Sequence, residues 1–228
     1  LPETSTSPDR AQAEACGPRY DRLIMIETRD RTFAAIRKIA SRIAPGMTEE
    51  EGVAVGRQVL REDGLLRGWH GITLRFGVNT TLTFREKSGP GIVLGADDIF
   101  FVDIGPVWRN CESDGGATFT TGSDADMRRI AGDSETIFDA VAARWRADGL
   151  TGQALYEVAV AEAGARGWLL NLELSGHRVS DFPHKAHYDG ALIDQRFVPS
   201  PDLWILEIQL RHPTRPFGAF YEDLLTDT

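Results

Sequence analysis

Several acids in this sequence stand where an acid is costly. Asp103 lies inside Phe100-Phe101-Val102-Asp103-Ile104, and Glu207 inside Leu203-Trp204-Ile205-Leu206-Glu207-Ile208. Glu222-Asp223 sits between Tyr221 and Leu224-Leu225, and Asp114 falls on the return strand expected after Asp103. Burying an ionised carboxylate costs several kcal/mol unless a cation or a full set of donors compensates it. A salt bridge or a strand end explains one such residue, whereas several together point to a shared cation, with ordinary buried ion pairs as the competing explanation. His177 and His184, in Ser175-Gly176-His177-Arg178-Val179-Ser180-Asp181-Phe182-Pro183-His184, add imidazole to the set. Oxygen ligands with an imidazole favour Mn, Fe, Co or Zn over a thiolate-type site.

The elements that must position these groups follow from the apolar pattern. Leu23, Ile26, Phe33, Ile36, Ile39 and Ile43 recur at helical spacing between Tyr20 and Ala44, and Pro45-Gly46 ends that helix. Thr48 with Glu51 reads as a capping box that opens a second helix running to Glu62. Ile72, Leu74 and Phe76 alternate as in a half-buried strand, and Ile99 to Ile104 reads as a short buried one. Val107 to Thr120 is expected to return as its partner, bent at Gly115-Gly116. Met127 to Ala147 and Gly152 to Ala163 read as helices, and Leu203 to Leu210 and Phe220 to Thr226 as strands. Between these strands, the prolines and glycine of Arg211 to Gly218 mark a tight hairpin. The order argues an α+β fold, expected as a single domain over residues 20–228 behind a flexible tail at 1–19.

Composition narrows the class of function. The chain has 228 residues, 42% of them hydrophobic, enough for a sizeable core. Its 25 Lys and Arg against 34 Asp and Glu give a net charge of −9, with no basic run, which argues against a nucleic-acid partner. No apolar stretch approaches the ~20 residues that span a bilayer, so no membrane partner is expected. Two cysteines without metal spacing, Cys16 and Cys111, and no visible signal peptide fit a cytoplasmic protein.

Asp103, Asp114, the Gly-His at 177, the acid of an apolar strand at 207 and the Glu-Asp at 222 together resemble the pita-bread metallopeptidases. That superfamily includes methionine aminopeptidases, Xaa-Pro aminopeptidases, prolidases and creatinase-type hydrolases. The resemblance covers Thr32 onward and implies a curved antiparallel sheet flanked by helices in a pseudo-two-fold catalytic domain. It also implies two divalent metal ions (Mn, Co, Fe or Zn) held by Asp103, Asp114, His177, Glu207 and Glu222. Asp114 and Glu222 would bridge the ions, Glu207 would also move a proton, and His184 would donate to the scissile carbonyl. The implied activity is hydrolysis of a peptide or amino-acid-like substrate, of aminopeptidase or Xaa-Pro type. In length the chain is nearest the methionine aminopeptidase branch, with no room for the extra N-terminal domain of the prolidase branch, and a homodimer is allowed.

Two departures stand out. Phe84 falls where the family carries a histidine before the first Asp, and His70, upstream, does not match that position. Arg178 and Ser180 replace glycines of a Gly-His-Gly-x-Gly run, so Arg178 is expected to narrow the pocket or bind an acidic substrate group, opposite an aromatic wall at Phe84. These favour a compact, specialised substrate and poor general aminopeptidase activity. They keep open a non-peptidase hydrolase or lyase of the same fold, or a metal-binding pseudoenzyme.

Overall fold

The computed structural model describes residues 10–227. Its helices are α1 (Arg10–Ala13), α2 (Arg22–Ala40), α3 (Glu49–Glu62), α4 (Ala125–Asp148) and α5 (Gly152–Ala165). Its strands are β1 (Thr73–Phe76), β2 (Ile99–Ile104), β3 (Val107–Trp108), β4 (Cys111–Glu112), β5 (Gly115–Thr120), β6 (Leu169–Leu170), β7 (His177–Arg178), β8 (Trp204–Arg211) and β9 (Gly218–Leu224). Side-chain caps set the helix starts: Asp21 accepts from the amides of Leu23 and Ile24, and Thr48 with Glu51 forms the expected capping box on α3.

One antiparallel sheet runs β1-β2-β5-β9-β8-β6, with β7 also paired to β8. Helices cover one face in two halves. Ile36, Ile39 and Val59 of α2 and α3 pack on Leu74 and Val102, and Ile137, Val141 and Leu155 of α4 and α5 pack on Leu206 and Ile208. Because side chains alternate along a strand, every residue between these core positions is turned to the opposite face. Asp223 is turned to the helix side, where its carboxylate is buried and takes two hydrogen bonds from the Arg29 guanidinium of α2.

The expected return strand over Val107–Thr120 is three short strands. Arg109 and Asn110 both take left-handed backbone (φ 47 and 69), closing a two-residue hairpin between β3 and β4 before β5 begins. The N-terminal segment differs as well. Residues 1–9 of the expected tail lie outside the described residues, but residues 10–19 are packed on the domain. Glu14 accepts from the Ser200 amide (2.7 Å) and the Trp204 indole (3.0 Å), and Gly17 donates to Asp181 (2.7 Å). No helix among the described residues is long and apolar enough to cross a membrane.

Candidate metal centre

Strand register lines the acids up. Thr73 pairs with Asp103, Asp103 with Gly116, Gly116 with Glu222, and Glu222 with Glu207. The four strands β2, β5, β9 and β8 thus present Asp103, Gly116, Glu222 and Glu207 in one lateral row on the face away from the helices. Gly116 leaves the row open at its middle, since a Cβ there would stand 2.6 Å from the Phe220 ring and 3.3 Å from Glu222 Cγ. Asp114 enters from the residue before β5, and His177 from β7, whose register partner is Ile205.

Two imidazoles hold Asp114 between them. His177 Nε2 lies 3.0 Å from Asp114 Oδ2, and His70 Nε2 lies 2.9 Å from Asp114 Oδ1 and 3.6 Å from Asp103 Oδ1. Potential ligand atoms form two groups within 4.8 Å of one another: His70, Asp103 and Asp114, and Asp114, His177 and Glu222. Asp114 belongs to both. Glu207 stands outside these groups but lines the same cavity of about 680 Å³, and its Oε2 accepts from the Gly176 amide at 2.7 Å.

The electrostatics show a cluster with too many buried acids for its own cations. Burial pushes Glu222 well above the usual carboxylate range, reinforced by the charges of Asp114 and Asp103. Burial also raises Asp103 and Glu207. Asp114 moves the other way, because the two histidines outweigh its burial. Burial opposes the imidazolium forms, yet Asp114 lifts His70 to about 10 and His177 to about 9. Asp103 Oδ1 and Glu222 Oε1 are buried with no hydrogen-bond partner among the described residues. Orphaned carboxylate oxygens beside imidazole nitrogens fit a divalent cation that prefers oxygen and nitrogen ligands.

His184 is buried against Glu112: its Nδ1 lies 2.5 Å from Glu112 Oε2, and its backbone amide donates to Oε1 at 3.1 Å. Its ring stacks 5.8 Å from His177 and borders the cavity. The Trp69 ring stands edge-on to all three histidines, at 4.5 Å from His70 and 5.0 Å from His177 and His184, with its indole N–H on the Ser113 carbonyl.

Two expectations change. Phe84 lines the cavity mouth and is 66% exposed, and an imidazole, that of His70, lines the same cavity. Residues 68–70 fold back along the end of β2, with Gly68 bridged to Pro106 and the Trp69 amide on the Gly105 carbonyl, and this long-range pairing delivers His70 to Asp103. Arg178 does not reach the cavity. It follows His177 in the same strand, so its side chain points the other way, where it is 1% exposed and bonded to the Ala13 carbonyl. Sequence reasoning also passed over Glu112 and Trp69, neither of which carries a local spacing signal.

Residues 24–225 match the model of metallopeptidase family M24. The chain belongs to that family. No curated protein sequence matches it. Among solved structures, the M24 chain is similar to the X-Pro aminopeptidase from Thermotoga maritima MSB8 (16% identity, TM-score 0.70, covering 92% of this chain and 62% of that one). It is similar also to the prolidase from Pyrococcus horikoshii OT3 (16%, TM-score 0.71, 94% and 61%) and to the prolidase from Pyrococcus furiosus (18%, TM-score 0.67, 95% and 66%). The chain thus spans less than two thirds of the first two structures' length. At these identities the likeness is one of fold, and the fold is the pita-bread sheet with its flanking helices.

Proposed function

We propose that this M24 chain is a dinuclear metal-dependent hydrolase acting at the end of a peptide, of aminopeptidase or Xaa-Pro type. The observation that carries the reading is Asp114, one carboxylate grouped with Asp103 on one side and with His177 and Glu222 on the other. Asp103, Asp114, His177, Glu207 and Glu222 would hold the ions, with Mn the first candidate and Co, Fe or Zn the others. Divalent ions in such a site supply Lewis acidity and bring the pKa of water toward neutrality.

The chain's own residues do the rest. Glu207, anchored through one oxygen by the Gly176 amide, keeps the other to take up and return a proton. His184 has Nδ1 committed to Glu112, which leaves Nε2 for the substrate carbonyl or the charge that develops on it. His70, against Asp114 and Asp103, lines the same cavity and would position the substrate from there. A second imidazole on the cavity beside His184 removes the premise for poor peptidase activity, so the peptide reading ranks above the non-peptide and pseudoenzyme alternatives.

Titration of the purified chain with Mn²⁺ tests this. Two ions per chain, at least one lost in Asp114→Ala, with Mn-dependent cleavage of Xaa-Pro or other amino-terminal peptide bonds, are expected. Failure of Mn, Co, Fe and Zn all to bind would overturn it.

A further inference from the structure

Arg178 is a buried cation with no acid bonded to it among the described residues. Its guanidinium donates to the carbonyls of Ala13 and Ala15 and lies 3.6 Å from Cys16 Sγ and 5.4 Å from the Trp204 ring centre, and its Nε has no partner among the described residues. Three residues on, Asp181 is 1% exposed and turns both carboxylate oxygens to the same segment, taking the Gly17 amide at 2.7 Å and the Arg19 amide at 3.3 Å. Arg19 returns a hydrogen bond to the Phe182 carbonyl at 2.8 Å. A Cβ on Gly17 would stand 2.3 Å from Asp181 Oδ2 and 2.9 Å from His187 Nε2, so this approach admits glycine alone.

These anchors lie in the chain between two of the site's imidazoles. His177 immediately precedes Arg178, and its Nδ1 is set by the Arg178 carbonyl at 2.8 Å. His184 follows Asp181, on a loop whose other side is held by hairpin β3–β4, through the Glu112 amide on the Ser180 carbonyl and the Phe182 amide on the Asn110 carbonyl. The loop is therefore clamped between the hairpin and the segment Ala13–Arg19, all of which lies before the start of the family match at residue 24.

We infer that Arg178 and Asp181 are positioning residues: they dock the segment Ala13–Arg19 as a brace that holds His177 and His184 at the metal centre. The burial of an unpaired guanidinium is compensated by carbonyls that only the docked segment provides. The carboxylate row is fixed by β2, β5, β9 and β8, which hold one another without the brace. His184, by contrast, sits on the clamped loop and His177 on β7, a two-residue strand at the edge of β8, so releasing the brace acts on these two imidazoles first. The functional consequence rests on the metal-centre reading, whereas the mechanical coupling does not.

Gly17→Ala displaces the brace without touching any proposed ligand, and Asp181→Asn weakens the same contact while keeping its shape. In the metal-free protein, both variants are expected to raise amide exchange over residues 13–19 and 177–187 and to shift the His177 and His184 side-chain resonances. Exchange in β2 and β9, which the brace does not touch, stays as in the parent. Mn²⁺ affinity should fall ~10-fold or more, the range for loss of a group that supports a metal ligand. Asp181→Asn serves where Gly17→Ala does not fold. A loosened brace with unmoved histidine signals, or no change in exchange over residues 13–19 in either variant, would overturn the inference. A parent protein that binds no Mn²⁺ while its variants still shift the histidine signals would count against the metal reading and leave the brace standing.

Discussion

The imidazole of His184 and the carboxylate of Glu112 form a buried pair, with Nδ1 2.5 Å from Oε2 and the histidine's own amide on the second oxygen. A carboxylate on one ring nitrogen fixes the ring's orientation and tautomer, so that the other nitrogen faces the cavity in a defined state.

Glu112→Gln should therefore lower turnover ~10- to 100-fold with the number of bound Mn²⁺ ions unchanged. Steady-state kinetics beside metal analysis checks this, and full turnover would show that the pair only packs. Glu112→Ala leaves the buried His184 donors unmet and should cost ~1–3 kcal/mol in urea unfolding.

His70 and Phe84 separate the two claims made for one side of the cavity. His70→Ala is expected to cut turnover ~10²-fold, the usual loss for a positioned donor or acid. Phe84→Ala, at a side chain 66% exposed, should leave the urea midpoint unchanged and alter KM more than kcat. The reverse pattern would return the positioning role to Phe84.

Gly116→Ala puts a methyl into the open middle of the carboxylate row, against the Phe220 ring and Glu222 Cγ. Overpacking of this kind costs ~1–3 kcal/mol. Because the methyl pushes on Glu222, Mn²⁺ affinity should fall along with stability. A variant with parent-like Mn²⁺ affinity and normal stability would mean that the row has slack.

Away from the site, Asp124 caps α4 and pairs with Arg215, whose guanidinium, with the Met127 amide, draws its carboxyl down to about 2. The folded chain holds this proton less tightly than the unfolded chain. The stabilisation is therefore complete above the ordinary carboxylate range and is lost as pH falls toward about 2. Urea midpoints of the parent and Asp124→Ala should differ at pH 7 and converge near pH 2, and a constant gap would rule out the ion pair as its source.

Legibility in the sequence followed locality. Helix α3 was readable because Thr48 and Glu51 carry its start within one turn, and β2 because its acid interrupts an apolar run. Asp103, Glu207 and Glu222 shared that signal. His70 did not, since its place depends on Gly68 meeting Pro106 across the fold, a contact no spacing encodes. Arg109 and Asn110 broke the expected return strand through backbone conformations that their side chains only weakly favour. Arg178 was a different kind of miss: the period of two that turns His177 to the cavity already turns its neighbour away.

The lateral row has a consequence for how the chain finds its fold. Asp103 comes from a part of the sequence distant from Glu207 and Glu222, and the three are brought into line by a single alignment of four strands. Sliding β9 by one residue would swing Glu222 toward Arg29 and bring Asp223, shorter by one methylene, to the cavity. An ion chelated by the row stabilises only the chains that have paired correctly, by mass action. Refolding with and without Mn²⁺ should then differ in the fraction of chains that recover, and the cation becomes an arbiter of strand alignment as well as a reagent.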